Sequence, residues 1–354
     1  MSKFCLLSDP ENYVADQVDL VADKKGRAYW LDHFEKHFED TLGHALTHYG
    51  RAARKKIESA RVHFSSLLAS LRETPNSLGD GTLNIISLCR LRDTTLREHG
   101  LIDPFMHIKQ RENASSIELY SDLVRQLHEL EGRNRWLALV RGVFAGNIFD
   151  LGSPATMHLA AQPTDFAATL ESIKPRPWFI DDFDRLAESL PDSPPTDWAK
   201  AVVFVDNAGS DLVLGMMPFV RELALCGTKI VLAANELPCL NDVTADETVE
   251  VVEQLAANDD DLAALIRAEM FEVVSSGSEE CLIDLLDVTE ELNEAAADAD
   301  LLVLEGMGRS VETNFDTSFT VDTLKIAILK DNHVASRIGG ETFDCICRYV
   351  PADG

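Results

Sequence analysis

The sequence predicts an α/β protein: a three-layer α/β/α core on a mostly parallel, doubly wound sheet, preceded by an all-helical N-terminal subdomain. Three observations point there. Apolar residues between about Lys24 and Leu130 recur at helical spacing. Two β-branched runs flank an amphipathic segment within residues 201–244. Strand-like and helix-like stretches then alternate over residues 200–350, the pattern of parallel strands joined by crossover helices. Residues 1–150 are expected to form the helical subdomain and residues 151–354 the core, closely packed together.

In the first part, Tyr29, Leu31, Phe34, Phe38, Leu42 and Leu46 share one helix face, and Val62, Leu67, Leu68 and Leu71 share another. Residues 134–149 continue as helix and stop near Gly146-Asn147. Residues 164–174 and 183–190 read as helices around a short strand at 178–180, and the PDSPP run at 191–195 reads as a loop. The clearest unit follows. Residues 202–205 and 230–234 are short apolar runs of buried parallel strands, and residues 211–225, followed by Gly227, form the crossover helix with its stop. Helices at 245–257 and 261–270, a strand at 272–275, and helices at 279–285 and 290–298 come next. Strands at 301–304 and 323–329 and a closing edge strand at 342–349 complete the alternation.

With 354 residues and 45% hydrophobic content, the chain can bury a large core. No run approaches the length of a membrane span, and the start lacks the basic flank and apolar core of a signal peptide, so a cytoplasmic protein is expected. A net charge of −28 argues against nucleic-acid and anionic-membrane partners, which need a basic surface. Residues 241–300 hold 19 acidic residues against the single Arg267, and read as a solvated helical face, an acidic metal reservoir being the other reading. Seven scattered cysteines read as free thiols in a reducing compartment.

Ligands of open parallel sheets bind beyond the carboxyl ends of the strands. There the two runs end in Asp206-Asn207 and lead to Asn241-Asp242. Asp206, Asn207 and Asp242 offer hard oxygen donors suited to Mg²⁺ or Mn²⁺, with helix capping as the structural alternative. The strand at 301–304 ends in Glu305-Gly306-Met307-Gly308-Arg309, where glycine amides and an arginine suit an anion, although a tight turn explains the glycines equally well. The turn is neither a dinucleotide fingerprint nor a P-loop. His33 and His37, with His44 and His48, lack the zinc-protease pattern and read as a polar helix face; no GxSxG element is present.

Residues 205–244 with Glu305 to Arg309 resemble the metal-dependent damage-control phosphatase family, formerly domain of unknown function 89. The EGMGR form is similar to a subfamily that includes plant stand-alone enzymes and the C-terminal domain of a pantothenate-kinase-like animal protein. The match extends to Asp103-Pro104-Phe105, Glu112-Asn113, residues 141–152, residues 177–182, Lys330 and residues 337–340. The resemblance implies a helical subdomain on an α/β/α core and divalent-metal-dependent hydrolysis of small phosphomonoesters. The implied substrates are 4′-phosphopantetheine or its oxidised forms, or sugar phosphates. The metal, Mg²⁺ or Mn²⁺ with Ni²⁺ or Co²⁺ as alternatives, is implied on Asp206, Asn207 and Asp242. Asp206 then either attacks phosphorus or activates water, with Asp242 as its catalytic partner. Glu305, Gly306, Gly308, Arg309 and Lys330 are expected to bind phosphate, and Asn147 and Asp150 to contact the leaving group. The other readings are a catalytically silent metabolite-binding protein and a methyltransferase. The latter lacks a glycine turn after the first strand and a ribose-binding acid.

Overall fold

The structure, a computed structural model, describes residues 2–78, 82–148, 166–190 and 196–352. Five helices come first: α1 (Lys24–Tyr49), α2 (Arg54–Glu73), α3 (Ile85–Glu98), α4 (Met106–His128) and α5 (Gly132–Asn147). Asp23 starts α1 by accepting from the amides of Lys25 and Gly26, and Asn84 with Ser87 closes a capping box on α3. Phe34, Phe38, Phe64, Leu68 and Leu71 fill the space between these helices, with the Phe38 and Phe64 rings 4.1 Å apart. Each such ring contributes about 1.5–3 kcal/mol by leaving water. The same cluster takes in Met307, Leu329 and Ile346, so the first helices seat against one end of the sheet.

The remainder runs α6 (Phe166–Ser172), β1 (Ile180–Asp181), α7 (Phe183–Ser189), β2 (Lys200–Phe204), α8 (Met217–Leu225), β3 (Lys229–Ala234), α9 (Ala245–Ala256) and α10 (Asp260–Arg267). It continues with β4 (Phe271–Ser275), α11 (Glu290–Ala296), β5 (Leu301–Glu305), β6 (Asp322–Ile328), α12 (Asn332–Arg337) and β7 (Cys345–Val350). The seven strands lie in the order β1-β7-β6-β5-β2-β3-β4, all parallel except the β6–β7 pair. Side-chain alternation sorts the layers. Val203 and Val205 face a core shared with α5 and α8, while Val202 and Phe204 face Phe4, Leu292 and Leu302 on the other side. Chain order runs outward from β2 to β3 and β4 on one side and from β5 to β6 on the other. That reversal opens a crevice at the carboxyl ends of β2 and β5.

Four sequence expectations change. The strand ending at Val350 is not at the edge, because β1 pairs outside it. Residues 279–285 form turns rather than a helix: Asn235 donates to the Glu280 carbonyl, the Phe4 amide donates to the Leu285 carbonyl, and Cys281 is tied to Cys239 by a disulfide. That bond also corrects the free-thiol reading for these two cysteines; Cys5, Cys89, Cys226, Cys345 and Cys347 remain thiols. The acidic stretch is more than a solvated face, since Glu247 pairs with Lys109, Asp259 and Asp261 with Arg221, and Glu280 with Arg90. Among the described residues no helix is long and apolar enough to cross a membrane.

Candidate active site

Asp206 follows β2 and Glu305 ends β5, so the pairing of these strands brings their acids together. Glu305 accepts the Asp206 amide at 2.9 Å through one oxygen and the Asn147 side-chain amide at 2.7 Å through the other. Asn147 also donates to Asp206 at 3.1 Å and to Asp211 at 2.9 Å. Asp211 opens a π-helical turn, Asp211–Met216, that runs into α8. This turn packs tightly on α5: a methyl group on Gly146 would lie 2.8 Å from the Ser210 carbonyl oxygen. The close approach delivers Asn147 to the acids, and Asp206, Asp211 and Glu305 present carboxylate oxygens within 4.8 Å of one another.

Asn207 donates its side-chain amide to Asp206 at 3.0 Å and to Asp211 at 2.8 Å. Its backbone bridges to Asp242, which the loop after β3 brings back to the end of β2. Arg309 joins the two sides, pairing with Asp206 through one nitrogen and, through the other, with Asp242 at 2.8 Å and Asn235 at 2.9 Å. Lys330 donates to the Asn147 carbonyl at 2.9 Å and lies 3.9 Å from Asp206. Gly306 has a φ of +92°, and a methyl group there would overlap the Asp206 carboxyl group, so glycine lets that carboxylate lie against the turn.

Four buried carboxyl groups (Asp206, Asp211, Asp242, Glu305) thus meet two buried cations (Arg309, Lys330). Burial and the charge of Asp206 push the Asp211 carboxyl up to about 6. Burial, then the charges of Asp211 and Asp206, hold Glu305 well above the carboxylate range. Asp211 Oδ1 and Asn147 Oδ1 are buried without a hydrogen-bond partner. Surplus negative charge, unsatisfied hard oxygens and a guanidinium already shared by Asp206 and Asp242 all fit a divalent cation held by this donor set.

A cavity of about 90 Å³ opens on Asp206 and Asp242. Trp30, His33, Phe34 and His37 of α1 line it, together with Leu240, Leu282, Met307 and Gly308. The cavity brings together only part of the expected set. Asn147 and Glu305 are wholly buried among the carboxylates rather than on the cavity wall. The Gly306 amide is committed to the Ile326 carbonyl, which leaves Gly308 as the turn glycine on the cavity. Asp150 lies outside the described residues.

Asp211, Asn235, Arg92 and the two histidines were not singled out as site residues by the sequence. Asp211 carried a weak signal, an acid five residues after Asp206 at the start of the crossover. His33 and His37 lie four apart on one helix face, but nothing local says that this face meets strand ends some 170 residues away. The Glu112-Asn113 pair explains itself only in three dimensions: Asn113 accepts the Gly209 amide at 2.6 Å and supports the loop carrying Asp206 and Asp211.

Fold and site together define an α/β protein with an acidic, cation-ready pocket at the switch point of a mostly parallel sheet. Residues 32–346 match the damage-control phosphatase ARMT1-like domain, and the chain belongs to that family, as its motifs suggested. It is 40% identical over 299 residues to a damage-control phosphatase of Arabidopsis thaliana, covering 84% of this chain and 80% of that protein. It is 32% identical over 397 residues to the 4′-phosphopantetheine phosphatase of Mus musculus, and 37% identical over 377 residues to pantothenate kinase 2 of Arabidopsis thaliana. The chain spans 48% and 42% of the lengths of those two proteins, respectively. A crystal structure of a DUF89 family protein from Pyrococcus horikoshii shares the fold, with a TM-score of 0.64 at 17% identity over 90% of this chain and 96% of that one.

Proposed function

We propose that the chain is a divalent-metal-dependent phosphatase that hydrolyses phosphomonoesters of small metabolites, with 4′-phosphopantetheine or an oxidised or damaged form of it as substrate. The observation that carries the reading is that Asp206 and Asp242, held together by the buried Arg309, both open on a cavity with a largely apolar lining. Trp30, Phe34, Ile85, Leu240, Leu282 and Met307 suit a leaving group with an extended apolar part. The names of the plant and mouse relatives support the same class.

Asp206, Asn207 and Asp242 would hold the cation, with the Asp211 and Glu305 carboxyl groups packed behind them; the hard donors favour Mg²⁺ or Mn²⁺, with Ni²⁺ or Co²⁺ as alternatives. When bound, a divalent cation supplies Lewis-acid polarisation of the phosphoryl oxygens. Asn147 orients three carboxylates from one amide nitrogen. Arg309 and Lys330 supply fixed positive charge beside Asp206, and Arg309 keeps Asp206 and Asp242 facing one another. The test is phosphate release from a panel of phosphometabolites with and without each metal. Metal-stimulated release, greatest for pantetheine-like esters, is expected; no release from any ester sinks the reading.

A further inference from the structure

We propose that His33 donates the proton to the departing oxygen of the substrate, an assignment that rests on the phosphatase reading above. An in-line displacement expels its leaving group away from the attacking oxygen. With phosphorus held at Asp206 and Asp242, the space left for the departing group is the rest of the cavity, which His33 and His37 of α1 line. The alcohol released from an alkyl phosphate is a poor leaving group unless it is protonated as the bond breaks, whereas nitrophenolate leaves unaided. Among the described residues lining the cavity, His33 and His37 are the groups whose ordinary pKa lies near neutrality. Of the others, Arg92 is held charged by Asp93, burial pushes the Cys89 thiol up, Cys281 is bonded to Cys239, and Asp206, Asp242, Glu312 and Asp331 are carboxyl groups, whose ordinary pKa is about 4.

His33 rather than His37 is assigned because of what faces it. Asp331, on the loop after β6, also lines the cavity, and its charge favours the imidazolium form. Tyr29 fixes Asp331 by donating its hydroxyl to Oδ2 at 2.9 Å, and the Tyr29 ring stacks with His333 at 4.8 Å and with His33 at 6.1 Å. The His33 ring lies parallel to that of His37, 6.1 Å away. Opposing Asp331 are burial, Arg92 from α3 and Lys36 on α1, which together hold His33 below its ordinary value. The negative charge of a bound phosphate adds to that of Asp331 and favours protonation when substrate is present. As the phosphorus–oxygen bond breaks, the imidazolium proton passes to the leaving oxygen. Water supplies the new oxygen on phosphorus; alcohol and inorganic phosphate leave, and His33 regains a proton from solvent.

The experiment compares p-nitrophenyl phosphate with 4′-phosphopantetheine, both with Mn²⁺, for the wild type, His33→Gln and His37→Gln. In His33→Gln, turnover of the alkyl ester is expected to fall about 10²–10⁴-fold, the usual contribution of a general acid, while the nitrophenyl ester changes by less than about threefold. The retained aryl activity shows that the variant is folded. Equal loss on both esters, no loss on either, or a selective loss in His37→Gln instead overturns the assignment. The wild-type protein gives an independent check. Its rate on the alkyl ester falls on the alkaline side as His33 deprotonates, and a flat alkaline limb contradicts the proposal. Absence of wild-type turnover on both esters and on the rest of the metabolite panel with every metal refutes the underlying phosphatase reading, a result distinguishable from all the others.

Discussion

Gly306→Ala puts the construction of the acidic site to a quantitative test. The residue sits at φ +92°, and an added methyl carbon would lie within 2.5 Å of the Asp206 carboxyl carbon and 2.9 Å of its Cβ. Holding alanine in the left-handed region costs about 1–2 kcal/mol. Relief of the overlap must move Asp206, which loosens its buried pair with Arg309 and its bonds from Asn147 and Asn207. Removing one partner of a buried pair outright costs about 3–5 kcal/mol, and displacement costs a part of that. The total is about 3–5 kcal/mol. At about 2 °C per kcal/mol for a chain of this size, the melting temperature should fall by about 6–10 °C. Misplacing Asp206 by an ångström should also lower kcat/KM on p-nitrophenyl phosphate by about 100-fold. Calorimetry and steady-state assays at saturating metal measure both. A melting temperature within about 2 °C of wild type together with undiminished activity refutes the reasoning.

Two further outcomes concern buried charge. Asp211 has its pKa raised to about 6, above the unfolded value, so its contribution to stability is present below about pH 4 and is lost as pH rises through about 6. Asp211→Asn should therefore flatten the decline in melting temperature of chelator-treated protein between pH 4 and 7 and raise it at pH 7. A decline as steep as wild type contradicts this. Arg221 is buried and binds both oxygens of Asp259, at 2.6 and 3.0 Å, with Asp261 beside it. Arg221→Ala should destabilise the protein by about 3–5 kcal/mol in urea denaturation, because Asp259 is left uncompensated. A loss under about 1 kcal/mol would make the pair a surface contact.

How far the sequence reveals the molecule depends on the range over which each contact acts. The strands around Asp206 and Asp242 are legible because buried parallel strands are short apolar runs, and the polar residues ending them stand out against that background. Glu305 is legible for the same reason, as the end of β5. The role of Glu305 is not. Only the pairing of β5 with β2 turns an expected phosphate contact into an acceptor for the Asp206 amide. Asn147 likewise reads as a helix end and proves to gather three carboxylates, because glycines at 142, 146 and 215 allow two helical segments to touch. The helical wall of the cavity is the least legible part. Trp30, His33, Phe34 and His37 follow ordinary helical spacing, and their facing of Asp206 is set by packing between residues far apart in sequence. The turns at 279–285 were missed for a related reason: their carbonyls are satisfied by Asn235 and the N-terminal segment instead of by a helix.

The central claim is that Asp206, on the shared floor of the acidic cluster and the cavity, carries metal-dependent phosphoester hydrolysis. The direct measurement is the turnover of p-nitrophenyl phosphate by Asp206→Ala and by wild type across a titration of Mn²⁺, with circular dichroism showing both folded. The account predicts metal-stimulated turnover in the wild type and a loss of at least about 10³-fold in the variant at every metal concentration, consistent with removal of a group at the reacting centre. Metal-dependent turnover in Asp206→Ala equal to that of wild type would contradict it.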